Sequence, residues 1–229
     1  MEDAAEFQPR RSLIFVPGTA PELFAKALAT SADIVCVDLE DAVVPAEKNA
    51  ARAATLALFD GPPEPGNAER IVRINPLRTP EGIGDLAAIC DRVTPLPALM
   101  LTKVRSPEDV HTVAEVLTAA GHESTRLHVI IETNDALEAS YAIGQASVRV
   151  DSLLFGGVDM AAELRVKPTW DALVHARARV VHAAAGAGVD LIDVPFLDLN
   201  DEAGLQKEAA ASEALGFTGK AAIHPRQIP

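Results

Sequence analysis

The stretch Ile34-Val35-Cys36-Val37-Asp38-Leu39-Glu40-Asp41 carries the pattern that predicts the fold. It begins as an uninterrupted apolar run, turns acidic at its end, and is followed at 46–59 by an alanine-rich segment with helical spacing. A strand that is apolar on both faces is typical of a parallel sheet covered on both sides. The stretch therefore predicts a strand–helix unit with acidic side chains at the carboxyl end of the strand.

The same unit recurs along the whole chain. Short apolar runs predict strands at 13–16, 33–38, 70–75, 98–104, 127–132, 150–155, 190–194 and 220–224. Segments with helical spacing lie at 21–30, 46–59, 80–92, 106–120, 134–146, 170–187 and 201–215. This alternation predicts a (β/α)8 barrel. The alternative, an open doubly wound sheet, is disfavoured because the first strand–helix turn, at 17–21, lacks the GxGxxG fingerprint.

We expect residues 1–10 to form a flexible N-terminal tail and residues 11–229 to form a single barrel domain. The segment 61–66 (GPPEPG) is interpreted as a surface loop, because it is too short for a linker between domains. No helix is predicted after the eighth strand, so the final helix of the barrel is absent or lies beyond the given chain. Without that helix, one flank of the barrel beside the eighth strand would be uncovered. Because parallel strands are normally covered on both faces, we expect a homo-oligomer in which a neighbouring subunit covers this flank.

Composition and charge exclude several classes of partner. The 229 residues include 33 Asp and Glu against 20 Lys and Arg, a formal net charge of −13 at pH 7. Nucleic acids and anionic membrane surfaces are bound through clustered Lys and Arg, so neither is an expected partner. The start MEDAAEFQPRR does not resemble a signal peptide, and no apolar stretch reaches the ~18 residues of a membrane span. Since Cys36 and Cys90 also suit a reducing compartment, we expect a cytoplasmic protein with a small-molecule substrate.

Two acids at predicted strand ends are candidate metal ligands. In a barrel, functional side chains lie at the carboxyl ends of the strands and in the loops that follow them. Glu132 follows an apolar run and Asp159 follows two glycines, and Mg²⁺ is typically held by one or two such carboxylates. The alternatives are a capping or ion-paired role for Glu132 and a helix N-cap role for Asp159. Zinc is disfavoured, since no Cys/His cluster has the spacing of zinc ligands.

Three basic side chains end predicted strands at the same face. Arg73 lies in an otherwise apolar strand, and its planar fork matches carboxylate or enolate oxygens. The alternative for Arg73 is a structural salt bridge to the acids at 38–41. Lys103 has the same two interpretations, a ligand-binding side chain or a structural salt bridge. The sequence around it shows no sign of the desolvation that a Schiff-base lysine needs. His224 is interpreted as a packed or hydrogen-bonded histidine in preference to a catalytic base.

Six blocks in register carry a resemblance to a known family. They are RSLIFVPG at 11–18, VDLEDAV at 37–43, VRIN at 72–75, IET at 131–133, FGGVD at 155–159 and GFTGKAAIHP at 216–225. Together they resemble the citrate lyase β-subunit and malyl-CoA lyase family of the HpcH/HpaI aldolase superfamily. The resemblance implies a (β/α)8 barrel, built into homotrimers, that binds Mg²⁺ and cleaves or condenses short 3-hydroxyacyl thioesters.

The resemblance also implies roles for individual acids and for one arginine. Glu132 and Asp159 match the metal ligands of the family, and Arg73 matches its substrate-binding arginine. Glu40 and Asp41 match acids that order metal-bound water and the loop. Arg73, Glu40 and Asp41 are therefore the expected catalytic residues.

Arg11 and Lys103 are similar to basic residues of the family that lie near the acyl-CoA or carboxylate site, so both are expected to bind substrate. The chain departs from the family at Thr102, where relatives often have Pro. It also departs in the C-terminal helical segment that relatives have after the His-Pro motif.

The function implied is a Mg²⁺-dependent carbon–carbon lyase. It would act on a citryl-, malyl- or citramalyl-type CoA thioester and release a keto acid and an acyl thioester. One alternative is an acyl-CoA thioesterase at the same metal site. Another is a non-catalytic subunit that binds a CoA ester or belongs to a larger lyase complex.

Overall fold

Eight parallel strands close into a barrel in the computed structural model, which describes residues 8–61 and 68–228. Each strand pairs with its neighbours in chain order, and the eighth pairs with the first. The strands are β1 Ser12–Pro17, β2 Ile34–Asp38, β3 Glu69–Arg73, β4 Ala98–Leu101, β5 Arg126–Ile131, β6 Val150–Phe155, β7 Asp190–Asp193 and β8 Gly219–Ala222. The predicted (β/α)8 barrel is confirmed. The predicted loop at 61–66 lies outside the described residues apart from Gly61.

Helices follow the strands on the outside of the barrel. They are α1 Phe24–Leu28, α2 Lys48–Ala57, α3 Pro80–Cys90, α4 Pro107–Ala119, α5 Asn134–Glu138, α6 Ser140–Gly144, α7 Gly157–Leu164, α8 Trp170–Ala187 and α9 Glu202–Leu215. Short 3₁₀ turns lie at Pro21–Leu23, Pro45–Glu47 and Pro225–Gln227. In the parts of the chain that the structure describes, no helix has the length and apolar character needed to cross a membrane.

Two helical features differ from the sequence prediction. The helix predicted over 134–146 is interrupted at Ala139, which leaves the helical region and divides it into α5 and α6. Helix α7 was not among the predicted helical segments, and the alternative that placed a helix N-cap at Asp159 started it too late, because the helix begins at Gly157 after the N-cap Gly156 and glycine has low helix propensity. This helix matters for the site, since it carries Asp159 in its first turn.

The interior of the barrel is apolar in its middle. Inward side chains from the strands form one buried cluster: Leu13, Ile34, Cys36, Ile71, Ala98, Met100, Ile130, Leu154, Ile192 and Ala221. The outward side chains of the same strands pack with the helices in a second, larger cluster. The apolar middle separates two polar ends, of which the carboxyl end of the strands is called the mouth here and the amino end the base.

The base is closed by a network of charged side chains. Arg10 forms ion pairs with Glu69 (2.7 Å), Asp151 (2.8 Å) and Asp190 (3.1 Å). A register shift between β5 and β6 makes Asp151 an extra residue in β6, and its carboxylate also pairs with Arg126. His128 Nε2 lies 3.2 Å from Glu69 Oε1. Although Glu69, His128 and Asp151 are close enough together to share an ion, the two arginines already neutralise their charge.

Glu69 gives this network a pH dependence. Burial alone raises the pKa of Glu69, but hydrogen bonds and charges from His128 and Arg10 outweigh burial and lower its pKa to about 2. A carboxylate with a depressed pKa in the folded state stabilises the fold above its unfolded value of 4.5. The contribution, on the order of 3 kcal/mol, is lost as the pH falls from about 4.5 toward about 2.

We therefore expect Glu69→Gln to lower the free energy of unfolding at about pH 6 and to have a smaller effect at about pH 3. Urea unfolding of the two proteins at both pH values measures the difference. An effect of equal size at both pH values would show that the Glu69 charge is not the source of the stabilisation.

Candidate active site

The mouth of the barrel holds a cavity of about 530 Å³. Its lining includes Asp38 at the end of β2, Arg73 at the end of β3, Glu132 just after β5 and Asp159 in α7. The remaining lining is mostly apolar and includes Phe15, Ile130, Leu154, Val158, Val194, Pro195, Leu197 and Ile223. A mostly apolar cavity of this size with a few convergent polar groups is typical of a small-molecule site.

Strand β4 ends three residues earlier than predicted, and this early end positions Lys103. Thr102 Oγ1 donates to the carbonyl of Ile74 at 3.1 Å and ties the strand end to β3. Lys103 then adopts a left-handed conformation with φ of 49°, which costs a non-glycine residue roughly 1–2 kcal/mol. In this conformation its backbone N–H donates to Glu132 Oε1 at 2.8 Å. The turn therefore aims both the backbone and the side chain of Lys103 at Glu132.

Three carboxylates, called the acid cluster, converge on the ammonium of Lys103. Its Nζ lies 2.7 Å from Asp159 Oδ2, 3.3 Å from Glu132 Oε2 and 3.8 Å from Glu40 Oε1. Glu132 and Glu40 are buried. Burial raises the pKa of both carboxyls well above their usual range, and the neighbouring acids raise it further, against the opposing effect of the nearby cations. A cation at this position offsets the cost of keeping the acid cluster charged.

The acid cluster fits a hard divalent ion. Glu132 and Asp159 supply carboxylate oxygens, and the described lining of the cavity contains no Cys or His. Space at Glu132 depends on glycine, because a Cβ added at Gly156 would lie 2.5 Å from Glu132 Cβ and 2.8 Å from Glu132 Oε2. The alternative role of Asp159 as a helix N-cap is not observed, since Gly156 occupies that position. The residues present match the oxygen donors that Mg²⁺ prefers.

Arg73 is held in place by Asp38 and Phe15. Its Nε and Nη2 donate to the two carboxylate oxygens of Asp38 at 2.7 Å and 2.6 Å. Its Nη1 lies 3.2 Å from Glu40 Oε2, and the guanidinium stacks 4.8 Å from the centre of the Phe15 ring. The predicted alternative, a salt bridge to the acids that end β2, is therefore observed. Because a guanidinium has five N–H donors, Arg73 keeps donors for a ligand in the cavity.

Asp38 was not among the predicted site residues. Besides Arg73, its carboxylate accepts from the backbone N–H groups of Glu40 (2.8 Å) and Ala42 (3.0 Å). It therefore fixes the loop that carries Glu40 as well as the guanidinium. Its position as the last residue of β2 is the signal that locates it, and the sequence predicted it only as one of the acids at 38–41 that could form a salt bridge with Arg73.

The other predicted residues lie in different places. Asp41 is exposed and lines the cavity. Arg11 lies at the base, where its side chain is 75% exposed and pairs with Asp33 at 2.9 Å. His224 accepts a hydrogen bond at Nδ1 from the backbone N–H of Arg226 and caps the last 3₁₀ turn. The structure thus brings Glu40, Arg73, Lys103, Glu132 and Asp159 together at the mouth, with Asp41 at its rim, and does not bring Arg11 there.

Comparison with known proteins gives consistent matches over most of the chain. The model of the HpcH/HpaI aldolase/citrate lyase family matches residues 11–225. Citrate lyase subunit beta of Haemophilus influenzae is 33% identical over 96% of this chain and 77% of its own length. L-malyl-CoA/beta-methylmalyl-CoA lyase of Cereibacter sphaeroides is 31% identical over 100% of this chain and 79% of its own. These names confirm the predicted enzyme class, a carbon–carbon lyase.

A solved relative agrees with both the fold and the family. The structure of CitE from Mycobacterium tuberculosis in complex with magnesium, acetoacetate and coenzyme A superimposes with a TM-score of 0.81. It is 32% identical and covers 96% of this chain and 79% of its own. The resemblance inferred from the six sequence blocks is confirmed. The chain belongs to the HpcH/HpaI aldolase/citrate lyase family.

Proposed function

We propose that this chain is a Mg²⁺-dependent lyase that cleaves a carbon–carbon bond in a short 3-hydroxyacyl-CoA thioester of the citryl, malyl or citramalyl type. The products are a keto acid and an acyl thioester. The observation that carries the proposal is the convergence of Glu132 and Asp159 on one cation position beside Arg73, in a cavity at the barrel mouth. The magnesium, acetoacetate and coenzyme A in the CitE relative support the same ligand chemistry.

Glu132 and Asp159 would hold the ion, and Glu40 and Asp41 would support it from the loop after β2. A bound divalent ion supplies Lewis-acid polarisation of the keto-acid oxygens. Glu40 lies between Arg73 and Lys103, with one carboxylate oxygen 3.2 Å from the guanidinium and the other 3.8 Å from the ammonium. It therefore links the metal side of the cavity to the arginine side.

Arg73 would stabilise the charge that develops as the bond breaks. Cleavage between the hydroxyl-bearing carbon and the adjacent α-carbon leaves the electron pair on the thioester fragment, and its carbonyl oxygen becomes negative. The hydroxyl gives up its proton as the carbonyl of the keto acid forms, and the enolate takes up one proton at its α-carbon to become the acyl thioester, so that no net proton is gained or lost. Because Asp38 and Phe15 fix the guanidinium before substrate binds, its remaining donors need no reorganisation at that moment. One such donor is worth about 3–4 kcal/mol in comparable sites.

A substrate panel tests the reaction. Malyl-, citramalyl- and citryl-CoA are incubated with the protein and Mg²⁺, and both keto acid and free thiol are measured. We expect Mg²⁺-dependent release of keto acid without thiol from at least one of the three. Release of thiol without keto acid would indicate a thioesterase instead. Release of neither would favour a binding subunit of a larger lyase.

We also propose that the protein is a cytoplasmic homo-oligomer built from trimers. Support comes from apolar side chains that remain exposed on the β6–β8 side of the mouth: Val158 (50% exposed), Leu197 (58%), Leu199 (44%) and Ile223 (42%). Val158, Leu197 and Ile223 line the same cavity, and apolar side chains that are grouped and exposed to water favour association. The free thiols of Cys36 and Cys90 suit the cytoplasm. Sedimentation that gives a stable, active species of about 24.1 kDa would contradict the oligomer.

A further inference from the structure

The ammonium of Lys103 occupies the position where the acid cluster would hold a cation. It is closer to Asp159 Oδ2 (2.7 Å) and Glu132 Oε2 (3.3 Å) than to any other acid described for it. Two cations this close to each other repel strongly in a partly buried site. A divalent ion on Glu132 and Asp159 and the Lys103 ammonium in this position are therefore mutually exclusive.

The side chain of Lys103 is less enclosed than that of Glu132, and its backbone is held independently of it. The Lys103 side chain is 30% exposed along its carbon stem, with Nζ itself buried, whereas Glu132 is 3% exposed. The backbone N–H holds Glu132 Oε1 at 2.8 Å through the left-handed turn, and this contact does not depend on where the ammonium lies. Movement of the Lys103 side chain therefore leaves the orientation of the Glu132 carboxylate unchanged.

Glu40 offers a second position for the ammonium. Its Oε1 is 3.8 Å from Lys103 Nζ, whereas its Oε2 lies 3.2 Å from Arg73 Nη1, so Oε1 is the oxygen that can receive the ammonium. Glu40 lies on the loop after β2, whereas Asp159 lies in α7, which follows β6. A short shift toward Glu40 would free Asp159 and Glu132 without leaving Lys103 unpaired.

We propose that Lys103 is an internal counter-ion: it occupies the cation position when no metal is bound, and metal binding displaces it toward Glu40. This inference rests on the metal site of the proposed function and adds a regulation of its affinity. By occupying the position, Lys103 offsets the repulsion among the three acids and holds them close together before the metal arrives. Because metal and ammonium compete for the same carboxylates, each weakens the binding of the other. Lys103 is thus a positioning residue rather than a metal ligand.

Mg²⁺ affinity tests this competition directly. Lys103→Met keeps an unbranched side chain only one atom shorter, as well as the backbone N–H, but removes the competing charge. By isothermal titration calorimetry of the metal-free protein, we expect Lys103→Met to bind Mg²⁺ roughly tenfold more tightly than the native chain, a typical size for coupling between two binding events. Lys26→Met removes an exposed lysine of α1 and changes the net charge equally, so it should leave the affinity unchanged.

Equal or weaker binding by Lys103→Met would overturn the inference, and so would an equal gain in Lys26→Met. These outcomes are distinct from failure of the proposed function, because in that case the native chain itself binds no Mg²⁺ at the mouth.

A measurement on the native protein avoids any effect of the substitution on folding. Lysine acetylation by acetic anhydride, followed by mass spectrometry, reports how strongly carboxylates hold each ammonium. We expect Mg²⁺ to raise the acetylation rate of Lys103 several-fold. Lys220, which is paired with Asp193 and Glu208 outside the barrel wall, should show no change. An unchanged or slower rate at Lys103 with saturating Mg²⁺ would show that the ammonium is not displaced.

Discussion

Replacing Glu132 by Gln is expected to abolish Mg²⁺ binding and to lower turnover by at least about 100-fold, because loss of even a residue that orients a metal ligand can cost that much. The substitution removes the charge while keeping the shape of the side chain and the oxygen that accepts from the backbone of Lys103. Burial raises the pKa of Glu132, so the charged carboxylate is unfavourable in the metal-free fold. In the absence of metal, the free energy of unfolding of the variant should therefore be equal to or higher than that of the native protein.

Calorimetric titration with Mg²⁺ and urea unfolding measure the two parts of this prediction. Asp159→Asn should show the same loss of binding, since it removes the second ligand from the same position. Glu69→Gln is the matched control: it removes a partly buried acid at the base and should retain native Mg²⁺ affinity. Unchanged Mg²⁺ affinity in Glu132→Gln would remove this residue from the metal site.

Arg73→Met is expected to reduce turnover by about 100- to 1000-fold with Mg²⁺ affinity retained, since the guanidinium stabilises developing charge and does not hold the metal. It should also destabilise the fold by about 3–5 kcal/mol, because the buried Asp38 carboxylate loses its partner. Steady-state kinetics, calorimetry and urea unfolding separate the three effects. Native turnover in a folded Arg73→Met protein would contradict the proposed role.

A second substitution separates catalysis from folding. Asp38→Asn in the Arg73→Met background removes the unpaired buried charge, so we expect it to recover much of the lost stability. It should recover none of the lost turnover, because the guanidinium is still missing. Recovery of turnover together with stability would mean that Arg73 acts only through the structure of the barrel.

The barrel was predictable because each strand carries its own signal. The run at 34–38 is apolar on both faces and ends in an acid, and this pattern alone specifies a covered parallel strand with its polar end at the mouth. The segment of helix α7 was not predicted as helical, because helix propensity is a local property and this helix begins at glycines. Those glycines leave space beside Glu132. Local propensity and the needs of the site conflict at that point.

The site was predictable only in part, for two physical reasons. Position at a strand end identifies Arg73, Glu132 and Asp159 as mouth residues, but it does not say which acid pairs with which base. The bidentate contact between Asp38 and Arg73 depends on neighbouring strands that lie 35 positions apart in the chain. Lys103 reaches the acid cluster through a left-handed turn that a non-glycine residue rarely adopts.

The location of the metal is tested most directly by crystals grown with Mn²⁺, which favours the same oxygen ligands as Mg²⁺ and gives an anomalous X-ray signal. We expect one strong anomalous peak at the mouth, between the carboxylates of Glu132 and Asp159, and loss of that peak in Glu132→Gln. The base offers a built-in comparison, since Glu69, His128 and Asp151 also lie within reach of one ion. A peak at the base with none at the mouth would contradict the proposed active site.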